Sequence, residues 1–245
     1  MISRLLAVGV AALGLLLFGS VTHAQESAEP DSGAAPGRAS IGAALGASQF
    51  VADADYSEGA QPRFATSARF RYVVNDWLRL QFAVGHTWTA YANDEPAPFD
   101  DLNFPEDSLK NEHLSQVVPM ALQLQFLRRG PRWTYHAGAG PGLYRVWVQN
   151  RRKVLKDPTT FDLHRGLYPG VSGQIGAERF FAALPSTSVE VGVAGHWVFA
   201  QRDEQFPGGY NSFLATVEAT VGVNYYFTLP VSRPKTELPP GAGGE

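Results

Sequence analysis

Residues 211–227 read NSFLATVEATVGVNYYF. Phe213, Ala215, Val217, Ala219, Val221, Val223, Tyr225 and Phe227 take the odd positions; Ser212, Thr216, Glu218, Thr220, Gly222 and Asn224 fall among the even ones. A helix turns by about 100° per residue and would mix the two sets, whereas an extended strand keeps them on opposite faces. The segment predicts a strand with one greasy and one polar side.

The same period of two recurs upstream. Over 63–74, Phe64, Ala68, Phe70, Tyr72 and Val74 oppose Ser67, Arg69 and Arg71. Over 77–91, Leu78, Leu80, Phe82 and Val84 oppose Arg79, Gln81, Gly85, Thr87 and Thr89. Leu114, Val118, Met120, Leu122, Leu124 and Phe126 oppose Ser115, Gln123 and Gln125 over 113–127, and Val189, Val191, Val193, Trp197 and Phe199 oppose Glu190, Gly192 and His196 over 188–199. Weaker alternation marks 40–50, 132–149 and 166–181, which brings the predicted strands to eight. Tight turns at Asn75-Asp76, 129–131 and 183–186 alternate with polar loops at 51–61, 92–112, 150–165 and 201–210. Short turns at one end and long loops at the other are the pattern of outer-membrane barrels, with the long loops extracellular. The expected fold is therefore all-β: an eight-stranded antiparallel up-and-down transmembrane barrel over 40–228, with flexible N- and C-terminal tails.

The flanks differ in kind. Arg4 precedes an apolar run over 5–18, and Thr22-His23-Ala24 ends a small and polar stretch, the layout of a cleavable secretory signal over 1–24. Residues 25–39 and 229–245 are rich in Ala, Gly, Pro and Ser or acids without periodicity, and read as a disordered periplasmic linker and tail. Beyond the signal no apolar stretch is long enough for a membrane helix. The chain has no cysteine, so disulfides, thiol chemistry and lipidation at a cysteine are excluded. A formal charge of −3 argues against a nucleic-acid partner.

Alternation alone does not say which side meets lipid, because a soluble ligand-carrying barrel keeps its apolar side within. Two features decide it. All five tryptophans, Trp77, Trp88, Trp133, Trp147 and Trp197, lie near predicted strand ends, where amphipathic rings gather at membrane interfaces. Phe213, Tyr225 and Phe227 join them as expected girdle residues. Trp133 and Trp147 share one face and stand about 35 Å apart along the membrane normal at ordinary strand rise and tilt, enough to bracket an apolar band. The polar side, in turn, carries charges of both signs: Arg69, Arg71 and Arg79 against Glu178 and Glu190 at corresponding depth, with Glu218 higher up. An eight-stranded barrel is just wide enough for side chains, so these six are expected to form a lumen network rather than line a pore.

The strand pattern over 40–228, the glycine-rich HAGAGPGLY at 136–144 and the closing Val221-x-Val223-x-Tyr225-x-Phe227 resemble the eight-stranded outer-membrane barrels of the OmpA transmembrane domain, OmpX and OmpW group. The resemblance implies an outer-membrane location and a terminal strand read by the barrel assembly machinery. It also implies a structural or surface-interaction role, with an OmpW-like conduit for small hydrophobic molecules as the alternative. Two departures stand out: the final aromatic is followed by a tail, and Pro119, Pro141 and Pro169 fall inside strands, where bulges or strand ends are expected.

Chemistry-bearing motifs are sparse. The histidines are scattered singly without metal-ligand spacing, the GAGPG glycines lack the Lys-Ser/Thr of a phosphate loop, and no cofactor is expected. Glu112-His113-x-Ser115 has the residue types of a lipid A deacylase site, since an imidazole can take a serine proton, but the spacing is common and no enzyme is expected. Loop 92–112 is acidic, whereas Arg151, Arg152, Lys153 and Lys156 make the next loop basic. These four are candidate contacts for lipopolysaccharide phosphates among the outer-membrane lipids. No surface ligand is indicated by the sequence.

Overall fold

A computed structural model describes residues 35–51, 60–91, 113–130, 133–150, 153–154, 156, 161, 163, 165–199 and 214–229. Signal, linker up to 34, tail from 230 and loops 92–112 and 200–213 lie outside the described residues, as do Glu112, Arg151, Arg152 and Phe213.

Eight long strands form the body: β1 (Arg38–Phe50), β2 (Arg63–Asn75), β3 (Leu78–Tyr91), β4 (His113–Arg129), β5 (Thr134–Asn150), β6 (Arg165–Phe181), β7 (Leu184–Val198) and β8 (Leu214–Thr228). Each pairs antiparallel with its neighbours in sequence, and β1 pairs with β8, so the sheet closes on itself. Among the described residues there is no helix. Two short segments extend the wall, Ala60–Gln61 against the top of β3 and Lys153–Val154 against the top of β5.

The register fixes the shape. Stepping across paired residues from Ala39 through Tyr72, Leu80, Leu124, Ala139, Gly173, Gly195 and Val217 returns to β1 at Gln49, ten residues further along. For eight strands at normal rise and spacing, that stagger requires a tilt of about 40° and a radius of about 8 Å. Such a tube has room for side chains and little else.

Alternation then places the chemistry. On β8 the even residues 214–226 are buried, while Val221, Val223 and Tyr225 are exposed. Ile41, Leu45, Phe70, Phe82, Leu122, Leu124, Val171 and Val191 likewise face outward, and Arg71, Arg79, Gln125, Glu178, Glu190 and Asn224 are sealed inside. Apolar outside and charged inside is the reverse of a soluble barrel; the wall is matched to hydrocarbon.

Several expected boundaries are corrected. Arg38 and Ala39, assigned to the linker, already belong to β1, because the closing strand offers Thr228 and Phe227 as partners. The turn expected at 183–186 is Ala182-Ala183, tightened by a register shift at Phe180/Phe181. Arg129 ends β4, and the following turn closes with Gly130 N–H donating to Trp133 O at 2.7 Å. At the β2–β3 turn, Trp77 N–H donates to Asn75 Oδ1, a local bond that competes with the ladder and ends β2.

Pro119 and Pro141 produce gaps rather than bulges, and Pro169 stands at the end of a ladder. Pairing of β3 with β4 skips from Val84–Met120 to Thr87–Val117, leaving Pro119 without a β3 partner, yet the register resumes unchanged. Pairing of β4 with β5 skips likewise from Ala121–Gly142 to Leu124–Ala139 at Pro141. Pro169 pairs with Leu143, and the β6–β7 ladder begins one residue beyond it, at Gly170. A missing N–H removes a rung without adding a residue, and the neighbouring rungs hold the register.

Candidate functional site

The lumen is the site with the densest chemistry. Arg69 and Arg71 of β2, Arg79 of β3, Glu178 of β6 and Glu190 of β7 converge at one level, all nearly free of solvent contact. Arg69 Nη1 donates to Glu190 Oε1 at 2.5 Å, and Arg71 Nη1 lies 2.5 Å from Glu190 Oε2. Arg79 Nη1 donates to Glu178 Oε2 at 2.8 Å, and Arg71 Nη1 is 3.7 Å from Glu178 Oε1. Arg71 thus bridges two carboxylates, and Glu190 bridges two guanidiniums. Glu218 stands apart, 3.8 Å from His196 Nε2.

Neutral donors complete the layer. Tyr226 Oη, Ser188 Oγ and Asn224 Nδ2 all donate to Glu178 Oε1. Arg71 Nε donates to Gln81 Oε1 at 2.6 Å, Arg79 Nε to Gln125 Oε1 at 2.8 Å, and Gln81 Nε2 to Gln123 and Gln174. Sequence reasoning placed Gln81, Gln123 and Gln125 on the polar face but gave the network to the charged residues alone, and it did not name Gln174. Their inward register was the available signal, since each lies an even number of residues from a polar residue of the same face: Arg79 for Gln81, Ser115 for Gln123 and Gln125, and Glu178 for Gln174. Buried charges need such partners, because an unpaired ion in low dielectric costs several kcal/mol, of order the whole stability of a small fold.

Apolar lids lie on both sides of the charge layer. Towards the loops, Phe50, Val117, Tyr144, Val146, Val148, Tyr168, Val198 and Leu214 form one buried cluster across the tube. Towards the turns, Val73, Leu127 and Tyr226 form a second, with Phe180 packed against it. The sequence hints at the upper lid where alternation fails, as in Val146-Trp147-Val148 and Trp197-Val198-Phe199, because both faces are apolar there. Between upper lid and charges lies a cavity of about 30 Å³, lined by Arg69, Gln81, Gln123, Gln174, His196 and Glu218 among others. That is room for water but not for a ligand. Gly85 and Pro119 also line it, so it sits just behind the gap in the β3–β4 ladder.

The glycine run of β5 is packed against its neighbour. A Cβ on Gly140 would lie 1.9 Å from Leu122 O, and one on Gly138 would lie 2.3 Å from Leu124 O. Close backbone approach is what these glycines permit.

Outside, Trp77 and Trp197 are exposed, as is Tyr225, while Trp88, Trp133, Trp147 and Phe227 are half-buried. Trp77 stacks on Phe126 with centroids 6.0 Å apart, and Arg179 lies over Trp133 at 5.7 Å. Trp77, Trp133 and Phe227 fall at the turn end, Trp88, Trp147 and Trp197 at the loop end. Of the basic loop, Lys153 is in the short segment paired to β5, and Lys156 lies 5.1 Å over the Phe161 ring. Ser115 is fully buried and faces the lumen. Among the described residues no group of three or more His, Asp or Glu comes together to hold a metal.

A closed eight-stranded antiparallel tube, greasy outside and charged within, defines the class: an outer-membrane β-barrel. Known structures share the fold. Neisserial surface protein A is 13% identical, with a TM-score of 0.50 over 78% of this chain and 97% of that one. The N-terminal barrel domain of Pseudomonas aeruginosa OprF (11%, TM-score 0.43, 78% and 98% covered) and Ail of Yersinia pestis (12%, 0.43, 78% and 99%) also match. No protein-family model and no curated protein sequence matches the chain.

Proposed function

We propose that the chain is a sealed outer-membrane anchor that holds its extracellular loops in fixed geometry for contact at the cell surface. The observation that carries this reading is the threefold obstruction of the lumen by an apolar lid, an Arg–Glu–Gln layer and a second apolar lid. An ion entering would have to displace packed side chains twice and break buried ion pairs once. The barrel wall also supplies rigidity, since every long strand is paired on both edges. Its partners in this reading are the surrounding lipids, lipopolysaccharide at the basic loop carrying Arg151, Arg152, Lys153 and Lys156, and the assembly machinery that reads Val221 to Phe227 during insertion. Reconstitution into planar bilayers tests it. The expected result is no steady conductance above the lipid background, and sustained ohmic channels would overturn it.

A conduit for small hydrophobic molecules draws support from one feature, the wall gap at Pro119 that backs onto the internal cavity. Two properties weigh against it. The cavity is too small for an organic molecule, and its lining of Arg69, Glu218 and His196 would strip water from charges to admit an apolar guest. Catalysis has no place in the proposal, because Ser115 points into the lumen while acyl chains lie outside the wall.

A further inference from the structure

We propose that the outer wall of β3–β6 near the loop-side rim binds the phosphate of an anionic lipid headgroup, in this membrane the lipid A phosphates of lipopolysaccharide. The inference deepens the surface-contact reading and rests on the loop side facing outward.

Outward-facing residues of the long strands carry no described carboxylate. By register their ionised side chains, among the described residues, are Arg128, Arg145, Arg165 and Arg179; Arg63, on the inward register at the loop end of β2, reaches the same rim with its guanidinium 5.8 Å from the Trp88 ring centroid. Arg128 and Arg179 lie at the turn end; Arg145 and Arg165 lie on adjacent strands at the loop end. Trp88 pairs with Gln116, Gln116 with Trp147, and Trp147 with Arg165, so these four side chains form one outward row across four strands. One row nearer the midplane, Arg145 stands between Val118 and Leu167.

That position is unfavourable for a cation without a partner. Arg145 is two residues inside Trp147, about 5 Å nearer the hydrocarbon along the normal. Its guanidinium climbs back to the rim, with Cζ 5.7 Å from the Trp147 ring centroid, the snorkelling expected of an arginine at an interface. Arg165 is its diagonal neighbour across the β5–β6 ladder, close enough for two long side chains to meet. Two guanidiniums brought together from these positions at the edge of a low-dielectric phase would repel each other unless an anion bridged them, and their planar forks match phosphate oxygens. Beside them His86 Nε2 and Gln116 Oε1 lie 2.8 Å apart, and the His86 ring is 6.2 Å from Trp147. With Oε1 engaged by His86, the Gln116 Nε2 group is the one that can donate to the same headgroup.

The test uses the full barrel in lipid nanodiscs and measures retention of bisphosphorylated lipid A by native mass spectrometry. Dephosphorylated lipid A and phosphatidylglycerol serve as competitors. Wild-type protein is expected to retain bisphosphorylated lipid A over both, and R145Q/R165Q to bind it at least about tenfold more weakly, the loss expected for two charge-assisted contacts. R128Q/R179Q, at the opposite rim, is expected to bind like wild type, and heat-modifiable migration establishes that each variant is folded. Equal retention by R145Q/R165Q, equal binding of either competitor, or an equal loss in R128Q/R179Q would overturn the proposal. Orientation is read separately: the chain has no cysteine, so Phe161→Cys in whole cells should react with a membrane-impermeant maleimide. Labelling only after lysis would show that the loop side faces inward, whatever the lipid result.

Discussion

Replacing Glu190 with Gln should unmake the charge layer while leaving its shape almost unchanged. Glu190 is 1% exposed and takes Arg69 on one oxygen and Arg71 on the other, each at 2.5 Å. Its amide counterpart keeps one acceptor and presents an NH2 group to a guanidinium, so at least one cation loses its partner. Glu190 accepts a charge-assisted hydrogen bond from Arg69, worth about 1.5–3 kcal/mol, and its close ion pair with Arg71 contributes on the same order, which puts the loss at about 3–6 kcal/mol. Removing one member of a buried pair costs about 3–5 kcal/mol by an independent route, and the two estimates agree. Glu218, buried and 3.8 Å from His196 Nε2, is the internal comparison, and Glu218→Gln should cost about 1 kcal/mol or less, because so long a contact offsets little of the cost of burying the charge that the substitution removes. The assay is urea unfolding in lipid vesicles followed by tryptophan fluorescence. Adding Arg69→Met to Glu190→Gln should restore part of the loss, because the double variant no longer buries that cation unpaired. A cost below about 1 kcal/mol for Glu190→Gln, or additive single and double variants, would refute a tightly coupled layer.

Two further outcomes probe the wall. Gly140→Ala would set a Cβ against the Leu122 carbonyl and should prevent closure, whereas Gly173→Ala, whose nearest neighbour would be 3.7 Å away, should fold normally; the heat-modifiable fraction on gels distinguishes them. Pro119→Ala returns an N–H to the gap between β3 and β4. It should slow amide exchange over 84–87 relative to wild type, and unchanged exchange would mean that the gap is held open by something other than the missing donor.

The wall was legible in the sequence because one side of every strand meets lipid and tolerates little but apolar residues, so period two survives along its full length. Phe70, Phe82, Leu124 and Val223 could therefore be placed by counting. Arg69, Arg71, Arg79, Glu178 and Glu190 could be assigned inward by the same count and brought together by the equal depth of their strands. The lids were harder to see. Val146, Val148 and Val198 occupy the inward register but are apolar, so they blur alternation instead of marking it. The outward arginines were hidden for the opposite reason. Arg145 sits in the apolar register, and without the pairing of Trp147 with Arg165 nothing in the sequence makes the two cations diagonal neighbours on adjacent strands.

The lids and the charge layer depend on each other. An Arg–Glu contact in water is worth little, since solvent screens it. Sealed between Tyr144 and Leu214 above and Val73 and Leu127 below, the same contact is both strong and costly to lose. Lid and layer together bind β2, β3, β6 and β7, strands far apart in sequence, through Arg71, Arg79, Glu178 and Glu190. A small defect in the upper lid that admits water should therefore weaken the ion pairs beneath it. Leu214→Ala would then cost more than the roughly 2–5 kcal/mol of an isolated large-to-small core change. The excess should vanish in a background carrying Glu190→Gln, and a cost of Leu214→Ala that is the same in both backgrounds would show that lid and charges act independently.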